Sequence, residues 1–488
     1  MSELIFEISR PGRVAYSQQV SCTGEHEFPQ AILRTAPTML PEVSELDVVR
    51  HYTVLSQKNF SIDTHPYYLG SCTMKYNPRA AHRAAMLDGF ANAHPMAPSS
   101  VLQGTLACLY DLQEILKTLT GMSGVSLSPM AGAQGEFAGV AMIKAYHAAQ
   151  GQAHRHIMLV PDTAHGTNPA SAVMCGYDVV EVKTKLDGDV DLDDLEKHLS
   201  DQVAGIMLTN PSTGGVFERQ IKLIAQKVHA CGGLLYYDGA NLNAIVGMAR
   251  PGDMGFDVLH LNLHKTFATP HGGGGPGSGP VACAKRLEPY LPTPLVVRNE
   301  KGIYAWQTQE ALPTSIGRLS AFAGNAGILL RAYIYARLLG REGFITAAQL
   351  ATLNANYLLK RLVMLGIEPA YPTRRATHEC LVTFKRQAKE HGVTARDIAK
   401  RLLDYQYHAP TTYFPLVVPE CFLIEPTETE SKESIDGFVA VLATIMDEIK
   451  SNPDIVKSAP QTMPVRRLDD VKAARELNIT YHRPEGVL

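Results

Sequence analysis

Between about residue 100 and residue 330, amphipathic helical windows alternate with short apolar runs. The helical windows are LQGTLACLYDLQEILKTLTG (102–121), EFAGVAMIKAYHAAQG (136–151) and QIKLIAQKVHACGG (220–233). The apolar runs are HIMLV (156–160), GYDVVEV (176–182), VAGIMLT (203–209), GLLYYD (233–238), DVLHLNL (257–263) and GPVACA (279–284). Apolar residues at helical spacing predict helices, and short apolar runs are typical of buried strands. The alternation therefore predicts an α/β fold with a mostly parallel sheet and helices on both faces.

The regions outside this pattern differ in composition. The N-terminal region is punctuated by Pro and holds one helical patch, SELDVVRHYTVLS (44–56). A further helix is predicted near 318–340, and mixed helical and apolar runs follow it, whereas the end of the chain is polar. We predict an N-terminal arm at 1–100, a large domain at 101–340, a smaller C-terminal α/β domain at 341–450 and a C-terminal extension at 451–488.

The composition excludes several classes of protein. The 488 residues include 45 Lys and Arg against 48 Asp and Glu, and the net charge of −3 provides no basic field for nucleic acid or anionic lipid. The eight cysteines form no C-x-x-C pair, so we expect reduced thiols and no metal site. The N-terminus lacks the features of a signal peptide, and no window approaches the roughly 18 apolar residues of a membrane span. We therefore expect a cytoplasmic protein that binds neither nucleic acid nor membrane.

Two polar residues follow apolar runs at positions that suit a cofactor site. In an open α/β sheet, ligands bind beyond the carboxyl ends of the strands. Lys265 follows DVLHLNL, beside Asn262 and His264, and a partly desolvated lysine can form an imine with a carbonyl cofactor. Asp238 ends GLLYYD, where a buried carboxylate could keep the ring nitrogen of pyridoxal phosphate protonated. A surface lysine and an aspartate in a turn are the alternatives.

Further candidates lie at the same predicted edge of the sheet. Ala240, two residues after Asp238, is small enough to let a flat ring lie against the strand end. The small-residue segment MAGAQGE (130–136) opens a helical window, and helix N-termini bind phosphate through backbone N–H groups. His165 follows HIMLV and could cover a cofactor ring, although a single histidine is more often structural. Asn210 ends the run VAGIMLTN at this edge.

A Gly-rich segment, HGGGGPGSGP (271–280), follows Lys265. Gly272, Gly274 and Gly277 match G-x-G-x-x-G, but the strand-like run VACA comes next, where a dinucleotide-binding site needs a helix. The segment also lacks the Gly-Lys-Ser/Thr ending of a P-loop. Because its glycines lack side chains, we expect the backbone of this segment either to approach a ligand closely or to change conformation.

Taken together, these segments resemble the pyridoxal-phosphate enzymes of fold type I. Among these the chain is most similar to the P-protein family of the glycine cleavage system, the decarboxylating glycine dehydrogenases. The length and the opening LIFEISRPGR resemble subunit 2 of the bacterial two-chain form. Departures from the family pattern occur at FANAHPM (90–96) and at Ser278. The resemblance is carried by LGSCTMKYNP (69–78), GAQGE (132–136), AHGTNPASA (164–172), LTNPSTGGVFE (208–218), DGANLNA (238–244) and LHKTFATPHGGGGPGSGP (263–280).

The resemblance also implies roles for individual residues. Lys265 would hold pyridoxal 5'-phosphate as a covalent imine, with His264 beside it, and Asp238 would pair with the pyridine nitrogen. His165 would stack on the ring, and Ser71 to Lys75 and His94 would belong to an arm near the site. The implied catalytic residues are Lys265, His264, Asp238 and His165, and the implied cofactor-binding residues are Lys265, Asp238, Ala240, His165, Ala133, Gln134, Asn262 and Asn210, with Ala133 and Gln134 at the phosphate.

The reaction implied by the resemblance is the decarboxylation of glycine. The chain would release CO2 and transfer the aminomethyl group to the lipoyl arm of the H-protein, in a heterotetramer of two copies each of this chain and subunit 1. We expect no arginine clamp on the glycine carboxylate, because such a pair stabilises the charge that decarboxylation removes. The alternatives are another fold-type-I decarboxylase or aminotransferase, a scaffold subunit without cofactor, and a nicotinamide oxidoreductase. The last is disfavoured because no helix is predicted after the Gly-rich segment.

Overall fold

The computed structural model describes residues 3–15, 28–36, 38–271 and 277–481. It divides into two compact units, Met1–His65 with Ala459–Leu488, and Pro66–Ser458. In the first unit, α1 (Glu45–Ser56) has a capping box in which the Ser44 side chain accepts from the Asp47 N–H and the Asp47 side chain accepts from the Ser44 N–H. This helix confirms the prediction for the patch at 44–56. The unit also contains the helical segments Gln30–Ile32 and Asp470–Arg475.

The second unit is built on a seven-stranded sheet whose order is β1-β7-β6-β5-β4-β2-β3. Four neighbouring pairs are parallel, whereas β7 is antiparallel to both β6 and β1. The α/β fold with a mostly parallel sheet is therefore confirmed. The strands are β1 (Gly124–Ser126), β2 (Ile157–Pro161), β3 (Asp178–Val182), β4 (Val203–Thr209), β5 (Leu234–Gly239), β6 (Val258–Leu261) and β7 (Val281–Cys283).

Helices connect these strands and cover the sheet. Helix α5 packs closely on β5, because a Cβ added at Gly139 would lie 2.4 Å from the Tyr236 ring. The helices of this region are α2 (Arg79–Ala85), α3 (Asp88–Ala91), α4 (Gln103–Thr120), α5 (Gly132–Ala149), α6 (Thr167–Met174), α7 (Leu192–His198), α8 (Ile221–Ala230), α9 (Pro251–Met254) and α10 (Leu263–Thr266). Three-residue to six-residue 3-10 segments lie at Ser99–Val101, Lys285–Tyr290 and Gln309–Ala311.

A hairpin and a second sheet follow. The hairpin pairs β8 (Leu295–Arg298) with β9 (Tyr304–Gln307), and the four-stranded sheet has the order β10-β11-β13-β12. Its strands are β10 (Glu368–Pro369), β11 (Cys380–Thr383), β12 (Thr411–Thr412) and β13 (Cys421–Ile424). The helices are α11 (Ala326–Met364), α12 (Lys385–His391), α13 (Ala395–Asp404), α14 (Lys432–Ser451) and α15 (Pro453–Lys457).

Helix α11 corrects the helix predicted near 318–340. It begins later because Gly324 has a φ of +90° and the Asn325 side chain accepts a hydrogen bond from the Ile328 N–H, which caps the helix. At Gly340 the backbone leaves the helical conformation (φ 58°, ψ −170°), so a first helix ends there, as predicted, and a second helix runs on to Met364. The proposed boundaries at 100, 340 and 450 stay predictions.

The Gly-rich segment lies partly outside the described residues, since Gly272 and Gly274 belong to the stretch 272–276. The described part, from Gly277, leads into strand β7 instead of a helix. The prediction that a strand follows this segment is therefore confirmed, and a dinucleotide-binding motif would need a helix there. Within the described ranges, no helix combines the length and apolar character that a membrane crossing requires.

Candidate active site

The ends of β4, β5 and β6 bring polar side chains to one edge of the large sheet. Thr209 is the register partner of Asp238, and Asp238 is the register partner of His260. Strand β6 ends at Leu261, and Lys265 follows directly in α10. Parallel strands end at a common edge, so this register places the predicted lysine and aspartate at neighbouring strand ends.

Asp238 is buried and accepts hydrogen bonds from three neighbouring groups. Its Oδ2 accepts from Asn168 Nδ2 at 3.0 Å and from Thr209 Oγ1 at 3.4 Å, and its Oδ1 accepts from the Ala240 N–H at 3.0 Å. Burial opposes ionisation, but the nearby His260 ring and these donors hold the pKa of Asp238 below its ordinary value. Asp238 is therefore a buried carboxylate that is ionised at neutral pH.

Glu136, on the first turns of α5, shares a donor with Asp238. Asn168 Nδ2 also donates to Glu136 Oε2, at 2.8 Å. Burial, and then the Asp238 charge, raise the pKa of Glu136 to about 8. Glu136 therefore carries a proton at neutral pH, which limits the repulsion between the two acids.

Lys265 lies at the centre of a cluster of titratable groups. Among the described residues, no hydrogen bond or ion pair engages its amine. Its charge nevertheless shifts the pKa of groups contributed by both sheets and by the segment before α2. These groups are Cys72, Glu136, His165, His260, His264, His271, His378 and Glu379.

His165 lies between Lys265 and the segment before α2. Its Nε2 is 3.3 Å from Ser71 Oγ, and its ring lies 4.9 Å from the Phe414 ring at an angle of 51°. Burial lowers the pKa of His165, Lys265 lowers it further, and Asp238 opposes both. A neutral imidazole with an aromatic neighbour on one side is suited to lie against a flat ring.

The other histidines of the cluster are also neutral at neutral pH. Burial lowers the pKa of His260 to about 4 and that of His264 to about 3. His260 lies with Nε2 3.6 Å from Asp238 Oδ1, and its Nδ1 pairs with the Tyr236 hydroxyl at 2.5 Å. His264 accepts from the Ser278 N–H at 3.4 Å.

The start of α5 is packed against the loop that carries Lys265. A Cβ at Gly132 would lie 2.3 Å from Asn262 Oδ1, so the helix N-terminus touches the Asn262 side chain. Ala133 is exposed on the first turn, and Gln134 caps the turn by accepting from the Met130 N–H at 2.8 Å. The first N–H groups of a helix have no partner within it. This 18-residue helix therefore presents backbone donors beside Asn262.

These residues fit a cofactor that carries an aldehyde, a basic ring nitrogen and a phosphate. Lys265 offers an amine, and Asp238 offers a buried ionised carboxylate. Asn262 Oδ1 and Ser278 Oγ are buried and have no hydrogen-bond partner in the described part of the chain. Asn262 Oδ1 lies close to the start of α5, and Ser278 precedes Gly279, where an added Cβ would lie 2.9 Å from the Gly132 nitrogen. Unsatisfied buried polar groups at an active site commonly mark where a ligand binds.

Asn210 stands apart from this group. Its Oδ1 accepts from the Glu218 N–H at 2.9 Å and its backbone carbonyl accepts from the Tyr237 hydroxyl at 2.5 Å. Its Nδ2 is buried without a partner among the described residues, beside a cavity of about 20 Å³, which has room for about one water molecule. Contact of Asn210 with the cofactor stays a prediction.

Three buried residues that structure this site are not among the residues predicted from the sequence. Glu136 and Asn168 lie within the motifs GAQGE and AHGTNPASA, next to residues that were selected. His260 is a polar residue inside the apolar run DVLHLNL, and that interruption is the signal that could have identified it.

Comparison with known proteins places the fold and the family. A family model described as "Glycine dehydrogenase, C-terminal domain" matches residues 347–463, and one described as "Aminotransferase class-V" matches residues 135–275. A crystal structure of glycine decarboxylase (P-protein) in inhibitor-bound form is similar, with a TM-score of 0.72 and 21% identity over 86% of this chain and 93% of that one. An alanine–glyoxylate aminotransferase from Nostoc sp. has a TM-score of 0.57 and 16% identity, over 80% of this chain and 98% of that one.

Two relatives are similar over nearly the whole chain. A protein of Legionella pneumophila (strain Corby), named "Probable glycine dehydrogenase (decarboxylating) subunit 2", is 63% identical over 98% of this chain and 99% of its own length. A protein of the same name from Nitrosospira multiformis is 62% identical over 99% of this chain and 96% of its own. The chain therefore belongs to the glycine dehydrogenase (decarboxylating) subunit 2 family.

Proposed function

We propose that this chain binds pyridoxal 5'-phosphate and removes the carboxyl group of glycine, passing the aminomethyl group to a lipoyl group on the H-protein of the glycine cleavage system. The observation that carries the proposal is the identity of 63% over 98% of the chain with a glycine dehydrogenase subunit 2. The Lys265 and Asp238 arrangement at neighbouring strand ends supports it.

Each residue of the site has a task in this proposal. When bound, pyridoxal phosphate would supply an aldehyde that condenses with amines and a protonated ring that accepts the electron pair left on the glycine carbon when CO2 departs. Lys265 provides the amine that holds the cofactor, and Asp238 keeps the ring nitrogen protonated. His165 covers one face of the ring. Ala133 and Gln134 hold the phosphate at the start of α5, where the helix dipole favours an anion, and Asn262 lies beside the imine.

The surroundings of Lys265 suit decarboxylation. The charges that shift the pKa of Glu136, His165 and Glu379 come from other carboxylates and from Lys265, and the lack of an arginine clamp on the glycine carboxylate is part of this proposal. Without a tight cationic partner, the glycine carboxylate is stabilised less in the ground state. More of the binding energy then stabilises the transition state, in which the carboxylate charge is being lost. His264, which precedes Lys265 in α10 and is neutral at neutral pH, lies beside the amine that holds the cofactor in this proposal.

The partners belong to the same proposal. We propose that the chain works in a heterotetramer with two copies of subunit 1, in the cytoplasm, and that the lipoyl carrier approaches from the side of the sheet edge. Static light scattering of the mixed subunits tests the stoichiometry, because a mass of two copies of each chain is expected and a mass of isolated chains would contradict it.

Two measurements test the function itself. Reduction with borohydride after loading with pyridoxal phosphate, followed by peptide mapping, is expected to label the peptide that contains Lys265. The label should disappear in Lys265→Ala and remain in Lys285→Ala, whose lysine is 85% exposed. Exchange of labelled bicarbonate into the glycine carboxyl should require lipoylated H-protein, and exchange independent of the carrier would favour a different decarboxylase.

A further inference from the structure

Two residues just before α2 have an unusual backbone conformation. Ser71 has a φ of 66° and Thr73 a φ of 53°, although neither is a glycine. Such left-handed backbone costs free energy for any residue with a Cβ and persists only where the surroundings enforce it. The contacts of this segment, Ser71 to Lys75, identify what enforces it.

Two buried glutamates hold the two strained residues. The Ser71 N–H donates to Glu379 Oε2 at 2.7 Å, and the Thr73 N–H donates to Glu425 Oε2 at 3.0 Å. Glu379 is 3% exposed and Glu425 is fully buried. They flank the register pair Cys380 and Ile424 of strands β11 and β13, which brings the two carboxyl groups side by side.

The same glutamates connect the segment to the loop after Asp238. Glu425 Oε1 accepts from Thr73 Oγ1 at 2.8 Å, from Asn241 Nδ2 at 3.1 Å and from Asn243 Nδ2 at 3.0 Å. Four donors therefore converge on Glu425, counting the Thr73 N–H. Glu425 therefore acts as an acceptor toward both the segment and the loop after Asp238.

Glu379 has a different environment. Of the described donors, the Ser71 N–H is the hydrogen-bond partner of its carboxyl group, and the His378 ring lies 3.7 Å away. Burial and the neighbouring Glu425 charge raise the pKa of Glu379 well above its ordinary value. The protonated form of Glu379 is therefore favoured, whereas Glu425 accepts four hydrogen bonds.

The other side of the segment faces the candidate site. The Ser71 hydroxyl lies 3.3 Å from His165 Nε2, and the Lys265 charge acts on Cys72 between the two strained residues. If the backbone at 71 relaxed to an ordinary conformation, the Ser71 side chain would turn away from His165. The glutamates therefore act on the site through Ser71.

We propose that Glu379 and Glu425 are positioning residues, which hold Ser71 and Thr73 in left-handed backbone and thereby fix the Ser71 hydroxyl against His165. The inference rests on the proposed function in one respect, that His165 covers the cofactor ring. It assigns a task to the segment Ser71 to Lys75, which lies far from Lys265 in the sequence.

The two glutamates give opposite predictions for the same substitution. Gln at 379 mimics the protonated carboxyl, because it keeps an oxygen for the Ser71 N–H and gains donors toward Glu425. Gln at 425 turns an NH2 group toward other donors and cannot accept all four hydrogen bonds. Glu379→Gln is therefore expected to behave like the wild type, whereas Glu379→Ala and Glu425→Gln are not. Glu430→Gln is the matched control, because this partly buried glutamate accepts from Ser434 and not from the segment.

Hydrogen exchange of the cofactor-free protein tests the anchoring. In peptides covering residues 68–76, exchange should accelerate about tenfold in Glu379→Ala and in Glu425→Gln, as expected when a backbone hydrogen bond is lost. Exchange should stay at the wild-type rate in Glu379→Gln, Glu430→Gln and Ser71→Ala. Unchanged exchange in both Glu379→Ala and Glu425→Gln would overturn the proposal.

Visible circular dichroism of bound pyridoxal phosphate tests the effect on His165. The cofactor band should weaken by about half or more in Ser71→Ala and Glu379→Ala and remain in Glu379→Gln. If Glu379→Ala does not fold, Ser71→Ala decides, because a wild-type band there would overturn the link to His165. Both readouts are independent of turnover. Loss of glycine exchange with normal readouts would count against the proposed function, and not against this inference.

Discussion

The side chain of Asn168 donates to the buried carboxylate of Asp238 across 3.0 Å. The same amide nitrogen donates to Glu136, so one residue separates two acids beneath the proposed cofactor. Asn168 is fully buried, and its position in α6 places it at the edge where β5 ends. The contact links the two acids to the helix that follows His165.

Asn168→Ala is expected to weaken the binding of pyridoxal phosphate. It removes the shared donor, which leaves Asp238 with less support for its ionised form, at a cost of about 1–3 kcal/mol for an unsatisfied buried group. The dissociation constant, measured by fluorescence titration, should rise about tenfold or more. Asn299→Ala, in an exposed turn, is the control, and equal affinities of the two variants would contradict the prediction.

Glu136→Gln should change how stability depends on pH. The pKa of Glu136 is raised to about 8 in the folded protein by burial and Asp238, so the folded state holds a proton that the unfolded state has lost above its ordinary pKa of 4.5. Stability from this group is present at low pH and falls as pH rises, by about 1.4 kcal/mol per unit up to about pH 8. Melting temperatures of the cofactor-free protein should fall less steeply with pH in the variant, and parallel curves would contradict this.

Histidines with lowered pKa values change stability with pH in the opposite direction to Glu136, but they do so at lower pH. The lowered pKa values of His260 and His264 make stability rise with pH below their ordinary value of 6.5. Above it they are neutral in both states, so the slope between about pH 6.5 and pH 8 reports the carboxyl groups. The difference between the wild type and Glu136→Gln in that window isolates Glu136.

The strand ends of the site could be predicted because the signal is local. Asp238 and Lys265 directly follow apolar runs, and in a parallel sheet such runs end at one edge. The start of α11 could not be predicted from apolar spacing alone. Its position depends on the positive φ of Gly324 and on the capping side chain of Asn325.

The contacts of Glu379 and Glu425 with the segment Ser71 to Lys75 could not be predicted from the local sequence. Glu379 is 308 residues from Ser71, and the register of β11 and β13 in a second sheet brings Glu425 beside it. Nothing in the sequence around Ser71 encodes that register. Hydrophobic patterning predicts which elements form, whereas contacts of this separation follow from how the elements pack.

Lys75→Met is expected to destabilise the protein. Lys75 is 2% exposed and pairs with Glu428 at 2.6 Å, and it also donates to the Thr266 carbonyl at 2.9 Å, next to Lys265. Removing the lysine leaves Glu428 buried without its cation, which costs about 3–5 kcal/mol. The urea midpoint should fall clearly, and Lys75→Met with Glu428→Gln should recover part of the loss.

The control for Lys75 is an exposed pair of similar length. Lys285 and Glu288 lie 2.7 Å apart, but the lysine is 85% exposed, and surface pairs contribute little. Lys285→Met should leave the urea midpoint unchanged. Equal decreases of the urea midpoint in the two lysine variants would show that burial does not increase the contribution of the Lys75 and Glu428 pair to stability.

Gly135→Ala is expected to disturb the start of α5 and with it the proposed phosphate site. A Cβ at Gly135 would lie 2.4 Å from the Gly279 carbonyl oxygen and 2.9 Å from His260 Cβ, and backbone cannot yield as a flexible side chain can. The helix must shift away from the segment that holds Ser278, so the affinity for inorganic phosphate and for pyridoxal phosphate should fall together. Gly104→Ala, in α4 with open space around it, should bind both normally, and normal binding by Gly135→Ala would show that this close approach is not needed.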